Sequence, residues 1–225
     1  MEKIKRVPLA ISGVILGMAA LGNLLQSYGE GIRLIFGGVA FVLLLLLLCK
    51  AIFFPQVLKE EFSNPIGAGV TATFPMALML FSVYAKPFVP GIAFPLWCVA
   101  ILLQILLLLY FTKTYVLHFE EKNVHTVWYI VYVGIVVASL TSPAYKMQAL
   151  GQGIFYFGFI ALLILLVVVS KRYLKMPVPE PAKPLMMIYA APMALCTAGY
   201  NQAFAEKNQG FVLFLLAATS VIYLF

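Results

Sequence analysis

Charge is scarce in this sequence. Only 10% of its 225 residues are ionised, and aspartate is missing altogether, all eight acids being glutamates. A soluble domain carries roughly 25% charged residues, so a soluble globule is excluded. Glu2, Glu30, Glu60, Glu61, Glu120, Glu121, Glu180 and Glu206 fall outside or at the rims of the long apolar runs, as do Lys, Arg and His. Proton relays and cation-coupled sites usually place such groups at membrane depth, and their absence favours passive flow over proton-coupled pumping. Cysteine is scarce too. Cys49, Cys98 and Cys196 lie far apart without ligand spacing or an obvious pair, and read as small apolar helix residues. His118 and His125, seven residues apart in a Glu- and Lys-rich joint, fit no metal-ligand spacing and are expected at the surface. HExxH, GxSxG, a phosphate-cradling glycine loop and paired intramembrane aspartates are all missing. Nothing here supports an enzyme, a metal or a cofactor.

What is present is apolar. Hydrophobic residues make up 64% of the chain and mean hydropathy is +1.02. Several runs of about 20 residues lack an ionised side chain, the length needed to cross roughly 30 Å of hydrocarbon. The chain is therefore expected to be an all-α polytopic membrane protein with a single transmembrane domain over 1–225. Windows of about 19 residues place eight spans near 8–27, 34–54, 66–85, 94–112, 126–145, 151–170, 185–203 and 209–225. "MEKIKR" precedes a run broken by Pro8, Gly13 and Gly17 and followed at once by another span, which reads as a first helix, not a cleaved signal. The joints, such as "SYGEGIR" and "KRYLKMPVPEPAKP", are too short for a further domain, and "PVPEPAKP" reads as a stiff connector.

Basic residues orient the chain. With the N-terminus cytoplasmic, the inner segments hold Lys3, Lys5, Arg6, Lys50, Lys59, Lys113, Lys122, Lys171, Arg172, Lys175 and Lys183, against Arg33, Lys86, Lys146 and Lys207 outside. This bias fits a cell-membrane protein. It also explains the +7 net charge, because the basic residues mark span ends and form no nucleic-acid patch.

The spans alternate in character. Even-numbered ones read "FVLLLLLLC", "ILLQILLLLY", "FIALLILLVVVS" and "FVLFLLAATSVIYLF", with Gln104 the main polar exception. Odd-numbered ones carry Ser12, Gly13, Gly17, Gly22 and Asn23; Gly67, Gly69, Thr71, Thr73, Pro75 and Ser82; Gly134, Ser139, Thr141 and Ser142; Pro192, Thr197, Gly199 and Asn201. Small residues let helices approach closely and hydroxyls bond across interfaces, whereas an unpaired polar group facing lipid is costly. The pattern predicts helical hairpins with an inner ring of odd-numbered helices and an outer ring of even-numbered ones. Pro75 removes a helical hydrogen bond and frees the carbonyl of Thr71, and Pro192 does the same to Ile188. Such breaks are tolerated where protein or water satisfies the freed groups, so Thr71, Pro75 and Pro192 are candidates to line a path. Trp97 and Trp128, near span ends, fit interfacial belts.

"VPLAISGVILGMAALGN" followed by an oily helix and then "NPIGAGVTATFPMALML" resembles the tellurite-resistance and C4-dicarboxylate transporter family, which includes the plant slow anion channels. The resemblance continues through "WYIVYVGIVVASLTSP" and "MMIYAAPMALCTAGY" and covers essentially the whole chain. It implies ten helices in five hairpins, a pore inside the inner five, assembly as a homotrimer in the lipid bilayer, and passage of small inorganic or organic anions. The implied pore is lined by uncharged residues and constricted by a phenylalanine of the ninth helix. By position, Gly13, Gly17, Pro75, Gly134 and Pro192 would face it.

There are departures. Ile15 and Val131 stand where relatives often have prolines, so the bends of the first and fifth helices are expected to be shallower. The chain stops at Phe225 without a fifth hairpin, and Phe74 beside Pro75 is the local candidate to occlude a pore, though packing is its commoner role. Three readings follow: an anion channel or transporter, a proton-coupled exporter of organic acids or tellurite-related species on the same scaffold, and a truncated, transport-inactive membrane fragment.

Overall fold

The computed structural model describes residues 7–178 and 180–224, and every regular element in them is helical. Glu2, Lys3, Lys5, Arg6, Pro179 of the connector and Phe225 lie outside the described residues. The protein is an all-α membrane protein. Five helical stretches are long and apolar enough to cross a bilayer: Ile11–Tyr28, Glu30–Phe53, Pro65–Ala85, Pro90–Val116 and Gln148–Lys175. Val127–Val133 with Val136–Tyr145 makes a sixth if that bent pair is one span. The chain gathers into two compact units, Met1–Ala100 and Ile101–Phe225.

In the first unit, α1 (Ile11–Leu24) ends in a 3₁₀ turn, and Gly29 turns the chain into α2 (Glu30–Phe53). Gly29 has φ 153°, a conformation that L side chains rarely adopt. Tyr84 seals the hairpin, lying against Gly22 and Gly37 where a Cβ would collide with it. Its hydroxyl donates to the carbonyl of Ala19 at 2.9 Å. The short α3 (Pro55–Phe62) leads to α4 (Pro65–Thr71), which Asn64 caps by accepting the Gly67 N–H at 2.7 Å. The helix breaks at Ala72 and resumes as α5 (Thr73–Ala85). Pro75 supplies the reason, since it has no N–H to offer the carbonyl of Thr71.

Two basic residues assigned to the membrane rims are buried in this unit. Lys50 Nζ pairs with the Glu61 carboxylate and donates to the carbonyl of Val7 at 2.6 Å. The other Glu61 oxygen accepts the Leu9 N–H at 2.9 Å, tying the entry of α1 to the end of α2. Arg33 pairs with Glu30 at 2.6 Å, donates to Asn23 Oδ1 at 3.0 Å and stacks on the Tyr84 ring.

The helix α6 (Pro90–Phe111) runs from the first unit into the second and ends in a π turn over Thr112–Val116. α7 (Val127–Val133) and α8 (Val136–Thr141) meet at a 46° bend. Lacking a proline at 131 does not leave this span straight. At the break, Val137 N–H bonds to Gly134 O at 3.1 Å and Ala138 N–H to Ile135 O at 2.9 Å, three-residue bonds that tighten the turn. Gln104 Nε2 donates to the carbonyl of Val131 at 3.0 Å, so the polar exception of the even-numbered spans serves the bend.

α9 (Gln148–Lys175) is followed by a 3₁₀ run over Glu180–Tyr189, then α10 (Ala191–Ala203) and α11 (Gln209–Leu224). Pro192 therefore stands in the first turn of α10 and not inside a span. A proline there loses no helical bond, and the α-helix begins only after the Pro184-containing run. α8 and α10 approach closely at Gly199, where a Cβ would come within 2.6 Å of Val136 Cγ1.

Both tryptophans expected in interfacial belts are buried. Trp97 stacks on Phe94; Trp128 meets Phe111 edge-on and donates from Nε1 to Asn123 O at 2.9 Å. His118 is exposed as expected, but His125 is buried, because it precedes α7 among the side chains of the second unit.

Candidate anion path

Burial separates the helices unequally. Of the most apolar stretch of Pro65–Ala85, 67% is buried, against 22–28% for Ile11–Tyr28, Glu30–Phe53, Pro90–Val116 and Gln148–Lys175. Almost all of α7 and α8 is buried as well. The first span is as open as the even-numbered ones, and its open side carries small residues. Gly13 and Gly17 have nothing within 4 Å of where a Cβ would stand, unlike the packed Gly22, Gly37, Gly158 and Gly199.

On the buried third span, Thr71, Phe74 and Leu78 are only half-buried while Pro75, Met76, Ala77, Met79 and Leu80 are buried. Steps of three and four residues put the half-buried set on one helix face. On α10, Ala194, Ala198 and Asn201 make a similar half-buried stripe. These stripes carry no ionised side chain. Their polar content is hydroxyl, amide and backbone, which suits anions held weakly enough to leave.

Hydroxyl groups here are already engaged. Thr71 Oγ1 donates to Gly67 O at 2.8 Å, and Thr73 Oγ1 donates to Val70 O at 2.7 Å and meets Ser12 Oγ at 2.6 Å. The Ser12–Thr73 contact sets α1 beside α5, just where Gly13 and Thr71 flank it. Of the residues singled out from sequence, Gly13, Gly17 and Thr71 lie on open stripes of the first unit, and Pro75 is buried beneath one. Gly134 and Pro192 belong to the second unit and are buried, the first at the bend and the second at a helix start. Leu78, Ala194 and Ala198 escaped sequence reasoning, although counting in helical steps from Thr71 would have found Leu78.

A cavity of about 460 Å³ opens in the second unit between Leu108, Thr112, Trp128, Tyr132, Ile160 and Leu165. Its lining is almost wholly apolar, with the Thr112 and Tyr132 hydroxyls as its polar groups. Among the described residues no three His, Cys, Asp or Glu side chains are grouped to hold a metal.

No curated protein matches the chain. The family model SLAC1, voltage-dependent anion channel, matches it over residues 6–225, and the chain belongs to that family.

Proposed function

We propose that this member of the voltage-dependent anion channel family passes small inorganic anions or C4-dicarboxylates along the uncharged stripes of its odd-numbered helices. The carrying observation is that Thr71, Phe74 and Leu78 are half-buried on an otherwise buried, charge-free span, and that Gly13 and Gly17 are open on the first. Pro75, Gly134 and Pro192 act behind the lining, setting where the helix axes break or begin. The working form is a homotrimer in the cell membrane with its N-terminus cytoplasmic, the odd-numbered helices enclosing the path and the even-numbered ones facing lipid. The family membership supports the anion; the stripes support the route.

Flux of chloride, nitrate and succinate into proteoliposomes tests the reading. Influx above empty vesicles, with water-borne thiol reagents blocking it through cysteines placed at 71 or 78 and not at 42 or 46, is the expected result. Absence of flux, or block only from 42 and 46, overturns it. Proton-coupled export on the same scaffold predicts flux that follows an imposed pH gradient. The mid-portions of the described spans offer no carboxylate, lysine or histidine as a relay, so indifference to the gradient is expected.

A further inference from the structure

Two buried nitrogens near the end of α9 lack partners. Arg172 is 3% exposed and His125 7% exposed, yet Arg172 Nε and His125 Nδ1 have no hydrogen-bond partner among the described residues. His125 and Arg172 are near enough for the guanidinium charge to act on the imidazole, and their chain neighbours touch, the Thr126 N–H donating to the Tyr173 hydroxyl at 3.2 Å. Thr126 Oγ1 also donates to Leu185 O at 2.7 Å, which ties the 3₁₀ run Glu180–Tyr189 to the residue beside His125.

Arg172 is poorly compensated. Its Nη1 reaches Met176 O only at 3.5 Å, and its guanidinium lies 5.1 Å from the Tyr173 ring centroid. The negative end of the α9 dipole offsets part of the charge but leaves the Nε–H unpaired. Every glutamate of the surrounding segments is engaged with a lysine: Glu121 with Lys175 at 3.1 Å, Glu120 with Lys122 at 3.1 Å and Glu180 with Lys183 at 2.6 Å. A buried cation without a counter-charge is costly, and an unmade buried hydrogen bond adds to the cost.

We propose that Arg172 and His125 together bind one small monovalent inorganic anion, a halide or nitrate, which accepts from Arg172 Nε–H and His125 Nδ1–H. Charge sets the valence: one guanidinium beside a neutral imidazole is balanced by a single negative charge, and a dianion would bury the excess. Burial sets the size, since both side chains are less than a tenth exposed, which suits a small inorganic ion and not a bulky carboxylate. Such an anion fastens the start of α7, the end of α9 and the 3₁₀ run to one another. This site stands apart from the stripes and does not depend on whether anions flow along them.

The test uses the full chain in lipid nanodiscs with ¹⁵N-labelled arginine and histidine. Sodium chloride is titrated against sodium gluconate at constant ionic strength. Expected are saturable, concerted shifts of the Arg172 Nε–H and His125 Nδ1 resonances with chloride. His125→Leu should weaken the apparent chloride affinity about tenfold, the loss of one hydrogen bond to a charged group, and Arg172→Gln should abolish saturation. Should Arg172→Gln fail to fold, the wild-type titration and His125→Leu decide alone. Shifts that never saturate, that appear equally with gluconate, or that are missing because a trapped water fills the place overturn the proposal.

Discussion

Lys50 sits at the end of an oily helix, and its Nζ finds Glu61 and the Val7 carbonyl instead of water. Glu61→Gln leaves a buried ammonium without its counter-charge, and a loss of about 3 kcal/mol is expected, read from chemical unfolding in detergent. Lys50→Met, which removes the buried charge itself, is expected to cost less. His125 gives a pH dependence. Burial first, and then the positive charge of Arg172, hold its imidazole below the ordinary 6.5. Below pH about 6.5 the unfolded chain therefore takes up a proton that the folded chain refuses. Stability should fall as pH drops from that value toward the folded one and be flat above it. His125→Gln should flatten the slope in thermal unfolding between pH 7.5 and 5.5. These residues were legible in sequence only as rim charges and a surface histidine, because burial at a helix end depends on which loop folds over it.

At the scale of elements, hydroxyls, glycines and prolines marked the first, third, fifth and seventh helices as distinct; the structure buries much of the third, fifth and seventh but leaves the first as open as the oily ones. The bends were harder to read. Pro75 located the break at Ala72, but the 46° bend of the fifth span has no proline at 131 and relies on Gln104, more than twenty residues upstream, for a donor to the Val131 carbonyl. A long-range bond of this kind has no local sequence signature. Replacing Gln104 by leucine should cost about 1–3 kcal/mol by leaving buried carbonyls unpaired, measured as lowered thermal stability in detergent. Gly199→Val should be worse, since the new side chain meets Val136 where α8 and α10 touch, and folded protein should be lost on size exclusion.

For the whole molecule, the long charge-free runs were enough to place the chain among polytopic membrane proteins; the anion-channel family was legible only through the resemblance of segments such as "NPIGAGVTATFPMALML", and the family match over residues 6–225 agrees. What periodicity did not foresee is that openness and helix number part company at the first span, whose open side bears Gly13 and Gly17. Bulk added at such a place should obstruct passage without disturbing packing. Gly17→Leu is expected to lower chloride flux in proteoliposomes several-fold while leaving thermal stability within about 0.5 kcal/mol of the original.

The bond between Lys50 and Glu61 has a consequence for synthesis. Its partners are eleven residues apart, so the lysine leaves the ribosome before the glutamate does. Until the glutamate emerges, the ammonium lacks its counter-charge, and the opening of α1 is held by the Lys50–Val7 bond alone, without the carboxylate that it borrows at Leu9. The first hairpin is thus synthesised before its lock is complete.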